Sequence, residues 1–311
     1  MDHIRPVRES EQRASLRFLL AKPQLSPAKL EAQITAFLAY LRAHELTVGP
    51  HLVAEQDGHL LTSTLAIQTG GRTAMVLVPN HRLFPRHRDL AVQLLIELRR
   101  LAPDHNLRLL QSLVDPDGGE DESIFADADF TYLATLLYMD ADLDAAPPIH
   151  AQNDQPLTWT TYSPHTHALF AQTISATYTD SLDCRGLNGL RDIEDVIASH
   201  QASGEFDPNF WYVARQQQHP VGVLLLSRVP NKPAWEIVYM GRAPQARGKA
   251  VGQALIDKAR QVARDQASKI LTLAVDDQNR PALKLYHDNG FRSSGRRRAW
   301  IATVNLHKPA T

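Results

Sequence analysis

The amino-acid sequence predicts an α/β protein built from two copies of one unit. Three observations carry this prediction. The chain has 311 residues, which is enough for two domains of about 150 residues each. Helix-like and strand-like hydrophobic periodicities alternate in the same order in both halves. A shift of 161 positions, which is the separation of Phe130 and Phe291, places similar residues of the two halves on each other.

The first half is predicted to contain two helices with apolar residues at helical spacing, over residues 28–45 and 90–101. Ser26 is placed to accept a hydrogen bond at the start of the first helix. Asp57 and Gly58 predict a tight hairpin turn. The strands predicted in this half are 51–56, 60–68, 73–78, 107–114 and 131–139.

An acidic stretch followed by the pair Pro147-Pro148 and polar residues, over residues 140–156, predicts a linker. We therefore expect a first domain over 1–145, a linker over 146–156 and a second domain over 157–311. The second half repeats the order of elements of the first. Its predicted helices are 165–177, 192–203, 251–267 and 281–289, and its predicted strands are 211–215, 221–227, 235–240, 270–275 and 300–306.

The repeat is tested residue by residue, because two unrelated α/β domains could share hydrophobic periods by coincidence. The 161-residue shift holds without a gap from Arg86 to Phe130, which favours two copies of one unit. The matched pairs include Arg86 with Arg247, Leu94 with Leu255, Val114 with Val275, Asp115 with Asp276, and Phe130 with Phe291.

Composition excludes several classes of protein. Lysines and arginines number 33 against 34 aspartates and glutamates, which argues against binding nucleic acid or a membrane surface through bulk charge. The lone Cys184 excludes an intramolecular disulfide, and no metal-ligand motif is found. The polar N-terminal stretch and the lack of an apolar run of ~18 residues predict a cytoplasmic protein.

The most informative segment is residues 236–252, where a strand leads through a loop of small residues directly into a helix. Backbone N–H groups of such a loop and the positive end of the helix dipole suit a pyrophosphate. Gly248 and Gly252 allow close approach to the backbone, and Arg247 and Lys249 add positive charge. The two common glycine-rich phosphate patterns of P-loop and dinucleotide-binding proteins are absent.

This segment resembles the GNAT superfamily of acetyl-CoA-dependent N-acetyltransferases, whose signature is R-x-x-G-x-G/A after a strand. The chain has Arg247-Gly248-Lys249-Ala250-Val251-Gly252, with Ala250 where the first signature glycine is usual. A second family block, N-x-x-A-x-x-x-Y followed by G-F, is matched by Asn279, Ala282, Tyr286, Gly290 and Phe291. The resemblance implies two tandem domains, each with a mixed, mostly antiparallel sheet flanked by helices, and acetyl-CoA as cosubstrate.

The resemblance also implies a role for each matching residue. Glu236 is the expected general base and Tyr286 the expected acid for the thiolate. Asn279 is expected to reach the cofactor. The backbone of Met240, Gly241 and Arg242 is expected to meet the thioester and the pantetheine arm. The pyrophosphate is expected at Arg247, Gly248, Lys249, Ala250, Val251 and Gly252.

Each role has a plainer alternative. Glu236 could be an exposed charge on an alternating strand, Tyr286 a core aromatic residue, and Asn279 a helix cap before Pro281. Two-domain members of the superfamily, the mycothiol synthases, share the spacing of Glu236 and Gly241 followed by a proline. This similarity concerns architecture and base position, and does not identify the acceptor.

In the first copy the matching positions lack this chemistry. The shift places Met75 on Glu236 and Phe125 on Tyr286, and replaces the three small loop residues by His87, Asp89 and Ala91. We therefore expect a degenerate first domain and one acetyl-CoA per chain. The predicted activity is acetyl transfer to a primary amine, of a small molecule or a peptide, by direct attack in a ternary complex. The alternative is an acyl-CoA-binding sensor or interaction protein without turnover, and whether the chain forms a homodimer stays open.

Overall fold

The structure, a computed structural model, describes residues 3–44, 46–80, 83–84, 87–117, 122–145, 157–248 and 250–304. The chain folds into two compact units. Unit 1 comprises Met1–Leu133 and Arg297–Thr311, and unit 2 comprises Ala134–Arg296. These units differ from the linear division expected at residues 145 and 157, and the expected linker 146–156 lies outside the described residues.

Unit 1 contains five strands of the first half of the chain and four helices. Its strands are β1 His3–Pro6, β2 Val48–Gln56, β3 His59–Gln68, β4 Thr73–Leu77 and β5 Leu109–Val114. Its helices are α1 Gln12–Leu20, α2 Pro27–Ala43, α3 Arg88–Leu101 and α4 Ser123–Asp127. Ser26 caps α2 as predicted, by accepting the N–H of Lys29. Asp57 and Gly58 form the predicted turn with φ of 50° and 80°.

In the described residues, unit 2 contains five strands of the second half of the chain and four helices, which follow the same order. Its strands are β7 Leu157–Thr161, β8 Trp211–Gln216, β9 His219–Arg228, β10 Ala234–Arg242 and β11 Ile270–Asp276. Its helices are α5 His167–Tyr178, α6 Ile193–Gln201, α7 Val251–Asp265 and α8 Arg280–Asp288. None of the described helices is both long and apolar enough to cross a membrane.

Two long strands, β6 Thr131–Asp142 and β12 Arg292–Thr303, each pass from one unit to the other. Beyond Leu133, β6 pairs with β11 in unit 2, and from Arg298 onward β12 pairs with β5 in unit 1. Each half of the chain therefore supplies the last strand of the other unit. Neither strand contains the turn residues that would fold it back as a hairpin: β6 lacks glycine and proline, and Gly295 of β12 has an extended backbone.

The sheets of the two units have the same strand order. In unit 1 it is β1-β2-β3-β4-β5-β12, and in unit 2 it is β7-β8-β9-β10-β11-β6. One pair in each unit is parallel, β4 with β5 and β10 with β11, and the other pairs are antiparallel. The predicted mixed, mostly antiparallel sheet is confirmed in both units.

Both faces of the unit 2 sheet carry apolar clusters. One face packs on α7 and α8 through residues such as Trp235, Ile237 and Met139. The other face packs on α5 and α6, mainly over β8 and β9, through Trp211 and Val223 among others. This division tells which face of the sheet each alternating side chain occupies.

The sequence patterns missed several elements. Strands β1 and β7 and helix α1 were not predicted, because they have only a few apolar positions each. The interpretation of residues 140–156 as a linker was wrong at its start, since β6 continues to Asp142 and is held there by pairing with β11. The last strand begins at Arg292 rather than at residue 300, so the run Arg296–Arg298 lies within a strand.

Candidate functional site

The candidate site of unit 2 forms where two parallel strands separate. Strands β10 and β11 pair from Ala234 to Ile237 on β10, opposite Ile270 to Leu273 on β11. The register of β10 against β9 then shifts between Ile237 and Tyr239, which marks a β-bulge. A bulge bends its strand, so the end of β10 diverges from β11.

A cavity of about 570 Å³ lies at this separation. Its walls come from β10, β11, the segment after α5, the loop before α7, and α8. The lining residues include Met240, Gly241, Arg242, Arg247, Gly248, Asn279 and Tyr286, all of which the sequence singled out. The structure therefore brings together most of the predicted residues around one cavity.

The loop before α7 has the predicted strand–loop–helix geometry. Gly248 has a φ of +74°, a conformation that side chains rarely adopt, so a glycine is required there although the space around it is open. Ala250 has a φ of −66° and is exposed, so the alanine that replaces a signature glycine is not strained. Val251 and Gly252 are buried in the first turn of α7, away from the cavity lining. Lys249 lies outside the described residues.

Two arginines approach this loop. Burial lowers the pKa of Arg242, and the charge of Arg247 lowers it further. The Arg247 guanidinium donates to the carbonyl oxygens of Thr177 and Thr179 at the end of α5. The signature arginine thus holds the end of α5 against the loop, a contact that the sequence did not indicate.

Gly241 lies where β10 comes into close contact with α5. A Cβ at this position would be 2.6 Å from Thr177 Oγ1 and 2.9 Å from the Tyr239 hydroxyl oxygen. These two hydroxyl groups lie 2.8 Å apart, and the Thr177 hydroxyl donates to the carbonyl of Ile174. The absence of a side chain at residue 241 is therefore a packing requirement of the cavity wall.

Glu236 lies one residue before the cavity lining, on the sheet face opposite Trp235 and Ile237. Its carboxylate is half-buried, and burial raises its pKa. Among the described residues, none donates a hydrogen bond or forms an ion pair with this carboxylate. Glu236 is therefore less exposed than the plainer alternative of an exposed charge on an alternating strand expects, and its role as a base stays a prediction.

Two tyrosines of the cavity keep their protons. Tyr286 of α8 is buried, and this burial, together with the negative charge of Asp183, raises its pKa. Burial also raises the pKa of Tyr239 on the opposite wall. Tyr286 packs against Phe291 with 5.7 Å between ring centroids, so it is both a core aromatic residue and a lining residue of the cavity.

Asn279 caps α8, as the plainer alternative expected. Its side-chain oxygen accepts the N–H of Ala282. The residue lines the cavity as well, so contact with a cofactor stays a prediction.

The segment after α5 also lines the cavity, from Asp180 to Asp183. Asp183 accepts the N–H of Asp276, and Asp276 in turn accepts the N–H of Cys184. Burial raises the pKa of both Asp183 and the Cys184 thiol. Two aspartates 93 residues apart give no sequence signal of this reciprocal contact.

Comparison with known proteins shows what this region is similar to. The model of the Acetyltransferase (GNAT) family matches residues 176–291, from the last turn of α5 to the residue before β12. This segment is therefore similar to the GNAT family. The two sequence blocks that define the resemblance both fall inside the matched range.

Curated relatives match part of the chain. A mycothiol acetyltransferase of Thermomonospora curvata is 33% identical over 103 residues, which is 33% of this chain and 34% of the relative. A mycothiol acetyltransferase of Beutenbergia cavernae is 34% identical over 106 residues, or 33% and 35% of the two chains. The match thus spans about a third of the length of these relatives.

Solved structures match nearly the whole chain in fold. A GCN5-related N-acetyltransferase of Sphaerobacter thermophilus has a TM-score of 0.64 and 17% identity, covering 97% of this chain and 95% of that one. A glucosamine N-acetyltransferase region of a fungal multi-domain β-N-acetylglucosaminidase has a TM-score of 0.61 and 12% identity, covering 97% and 38%. These similarities confirm the predicted fold of two tandem GNAT-like units.

Proposed function

We propose that unit 2 transfers an acetyl group from acetyl-CoA to a primary amine, by direct attack of the amine in a ternary complex. The observation that carries this proposal is the position of Glu236, whose half-buried carboxylate has no partner among the described residues. It lies beside the separation of β10 from β11, and the loop after β10 leads to the N-terminus of α7. The GNAT-family match over residues 176–291 and the mycothiol acetyltransferases among the relatives support it.

The residues of the loop before α7 fit the pyrophosphate of acetyl-CoA. The first N–H groups of a helix have no partner within the helix and carry a partial positive charge. α7 is long enough, at 15 residues, for this field to develop. Arg242 and Arg247 add positive charge at the cavity, and Gly248 lets the backbone turn toward the phosphate. The pantetheine arm would then follow the separation of β10 from β11.

Glu236 is proposed as the general base. A neutral amine that attacks a thioester carbon gains a positive charge and must lose a proton to form the amide. A carboxylate that burial has made more basic, and that no described side chain neutralises, suits this task. As the amine nitrogen bonds to the carbonyl carbon, its proton passes to the Glu236 carboxylate.

The remaining steps use the two walls of the cavity. As the new C–N bond forms, negative charge develops on the thioester oxygen, and backbone N–H groups of β10 beyond Ile237 are proposed to stabilise it. When the C–S bond breaks, the thiolate takes a proton from Tyr286, whose hydroxyl stays protonated because its pKa is raised. The products are the acetylated amine and coenzyme A.

The test is thiol release from acetyl-CoA with a panel of primary amines. General acid–base groups contribute typically 10²–10⁴-fold, so Glu236→Gln should lower kcat by about that factor while acetyl-CoA binding is retained. Glu205→Gln, which removes an exposed carboxylate of the same unit, is the matched control and should leave kcat unchanged. If no amine promotes thiol release while acetyl-CoA still binds, the chain is instead an acyl-CoA-binding sensor or interaction protein.

A further inference from the structure

Three side chains of unit 2 form a row across adjacent strands. Glu236 of β10 is directly opposite Thr272 of β11, and Thr272 is directly opposite Asp140 of β6. All three point away from the apolar cluster that contains Ile237, Leu271 and Met139, so they share one face of the sheet. Adjacent strands are about 4.8 Å apart, so the Cα atoms of Glu236 and Asp140 are separated by roughly 10 Å.

This row adjoins the cavity and is open to solvent. Ala274, two residues beyond Thr272 on the same face of β11, lines the cavity and is exposed. Thr272 and Asp140 are half-buried. Among the described residues, none forms a hydrogen bond or an ion pair with the Asp140 carboxylate. A second unpaired carboxylate thus lies on the same open face as the proposed base.

The equivalent row of unit 1 provides an internal comparison. The same 161-residue shift and the same strand pairings place there Met75, Gln111 and Ile301. Ile301 is only 5% exposed. The copy without the proposed base therefore also lacks the second carboxylate, and its row is closed by an apolar side chain. Unit 2 thus has both carboxylates of the row, and unit 1 has neither.

We propose that Asp140 binds a second positively charged group of the acceptor, so that unit 2 prefers a dicationic amine. This inference rests on the proposed function, because it assigns the reacting nitrogen to Glu236. A carboxylate held on a strand about 10 Å from the base suits an ammonium separated from the reacting amine by a short alkyl chain. Thr272, midway between them, contacts the chain. The residue that selects the acceptor is therefore supplied by β6, which precedes the GNAT-matched residues 176–291 in the sequence.

The test compares 1,5-diaminopentane with n-pentylamine, which has the same carbon chain and one charge. A charge-assisted hydrogen bond to Asp140 favours binding of the second ammonium, so the wild-type protein should favour the diamine in kcat/KM at least about tenfold. Asp140→Asn should raise KM for the diamine about tenfold and leave the values for pentylamine and kcat for both unchanged. Asp265→Asn removes an exposed carboxylate at the end of α7 and should change neither.

Binding separates this inference from the proposed function. Calorimetry of 1,5-diaminopentane with the protein saturated with coenzyme A should show about tenfold weaker binding for Asp140→Asn than for wild type. If this difference appears without acetyl transfer to either amine, the cation site stands and the proposed activity fails. An equal Kd in the two proteins, or an unchanged preference between the two amines, would overturn the inference.

Discussion

Units 1 and 2 have the same strand order, yet only one of them carries ionisable groups at the row of Glu236, Thr272 and Asp140 or its equivalent. Glu236 and Tyr286 of unit 2 correspond to Met75 and Phe125 of unit 1. The backbone of the fold therefore does not depend on the site residues. A few side chains therefore distinguish the candidate site of unit 2 from the same scaffold in unit 1.

The exchange of β6 and β12 gives the first half of the chain a structural role in unit 2. Unit 2 obtains its last strand from the end of the first copy, and unit 1 obtains its last strand from the end of the second copy. Each unit is thus incomplete without the other half of the chain. This structural role of the first half does not require a ligand site in unit 1.

Moving the tyrosine hydroxyl from residue 286 of unit 2 to residue 125 of unit 1 is expected to have the largest effect on kcat. Tyr286→Phe should lower kcat by about 10²-fold, because the leaving thiolate loses its proton donor. Phe125→Tyr adds a hydroxyl to a core site that is fully buried, and should destabilise unit 1 by about 1–3 kcal/mol without affecting kcat. Steady-state kinetics and urea unfolding of both variants measure this. An unchanged kcat for Tyr286→Phe would remove the acid role.

Adding a methyl group to the cavity wall should have an intermediate effect. Gly241→Ala places a Cβ 2.6 Å from Thr177 Oγ1, so α5 or β10 must shift. Overpacking of this kind costs about 1–3 kcal/mol, and the shift should also raise KM for acetyl-CoA. Gly295→Ala is the matched control, since its Cβ would meet open space. Equal thermal stability and equal KM for the two variants would show that the contact is unimportant.

Acid pH should lower the free energy of unfolding of both units by a similar amount. This effect is smaller than those of the two substitutions above. Burial lowers the pKa of His51 in unit 1 to about 4 and that of His200 in unit 2 to about 3, from an ordinary value of 6.5. Both imidazoles are neutral when folded and take up a proton on unfolding. Their contribution to stability is complete above pH 6.5 and is lost progressively as the pH falls toward 4 and 3. At pH 5.5 the loss is about 1.4 kcal/mol for each.

Urea unfolding at pH 7 and pH 5.5 measures this loss. His200→Phe, which keeps a ring stacked on Tyr239, should remove the part due to His200. The exposed His219→Asn should retain the whole loss. A pH dependence that His200→Phe leaves unchanged would contradict the assignment of the buried imidazole.

The sequence predicted the repeat and much of the site, because both rest on local patterns. The 161-residue shift correctly placed Met75 and Glu236 at equivalent positions of β4 and β10. The strand–loop–helix motif correctly placed Gly248 in the loop before α7. The exchange of β6 and β12 could not be predicted, because the same alternating strand can complete either sheet. The contacts of Asp183 and Arg247 depend on residues about 70 to 90 positions away, and so escaped patterns of neighbouring residues.

Titration of the full chain with acetyl-CoA tests most directly whether one unit of the pair carries the site. Calorimetry should give one acetyl-CoA per chain. Gly248→Val, which places a branched side chain at a φ of +74°, should abolish this binding. Alanine at the corresponding residue of unit 1, His87→Ala, should leave it intact. Two equivalent sites per chain, or full binding by Gly248→Val, would contradict a single site in unit 2.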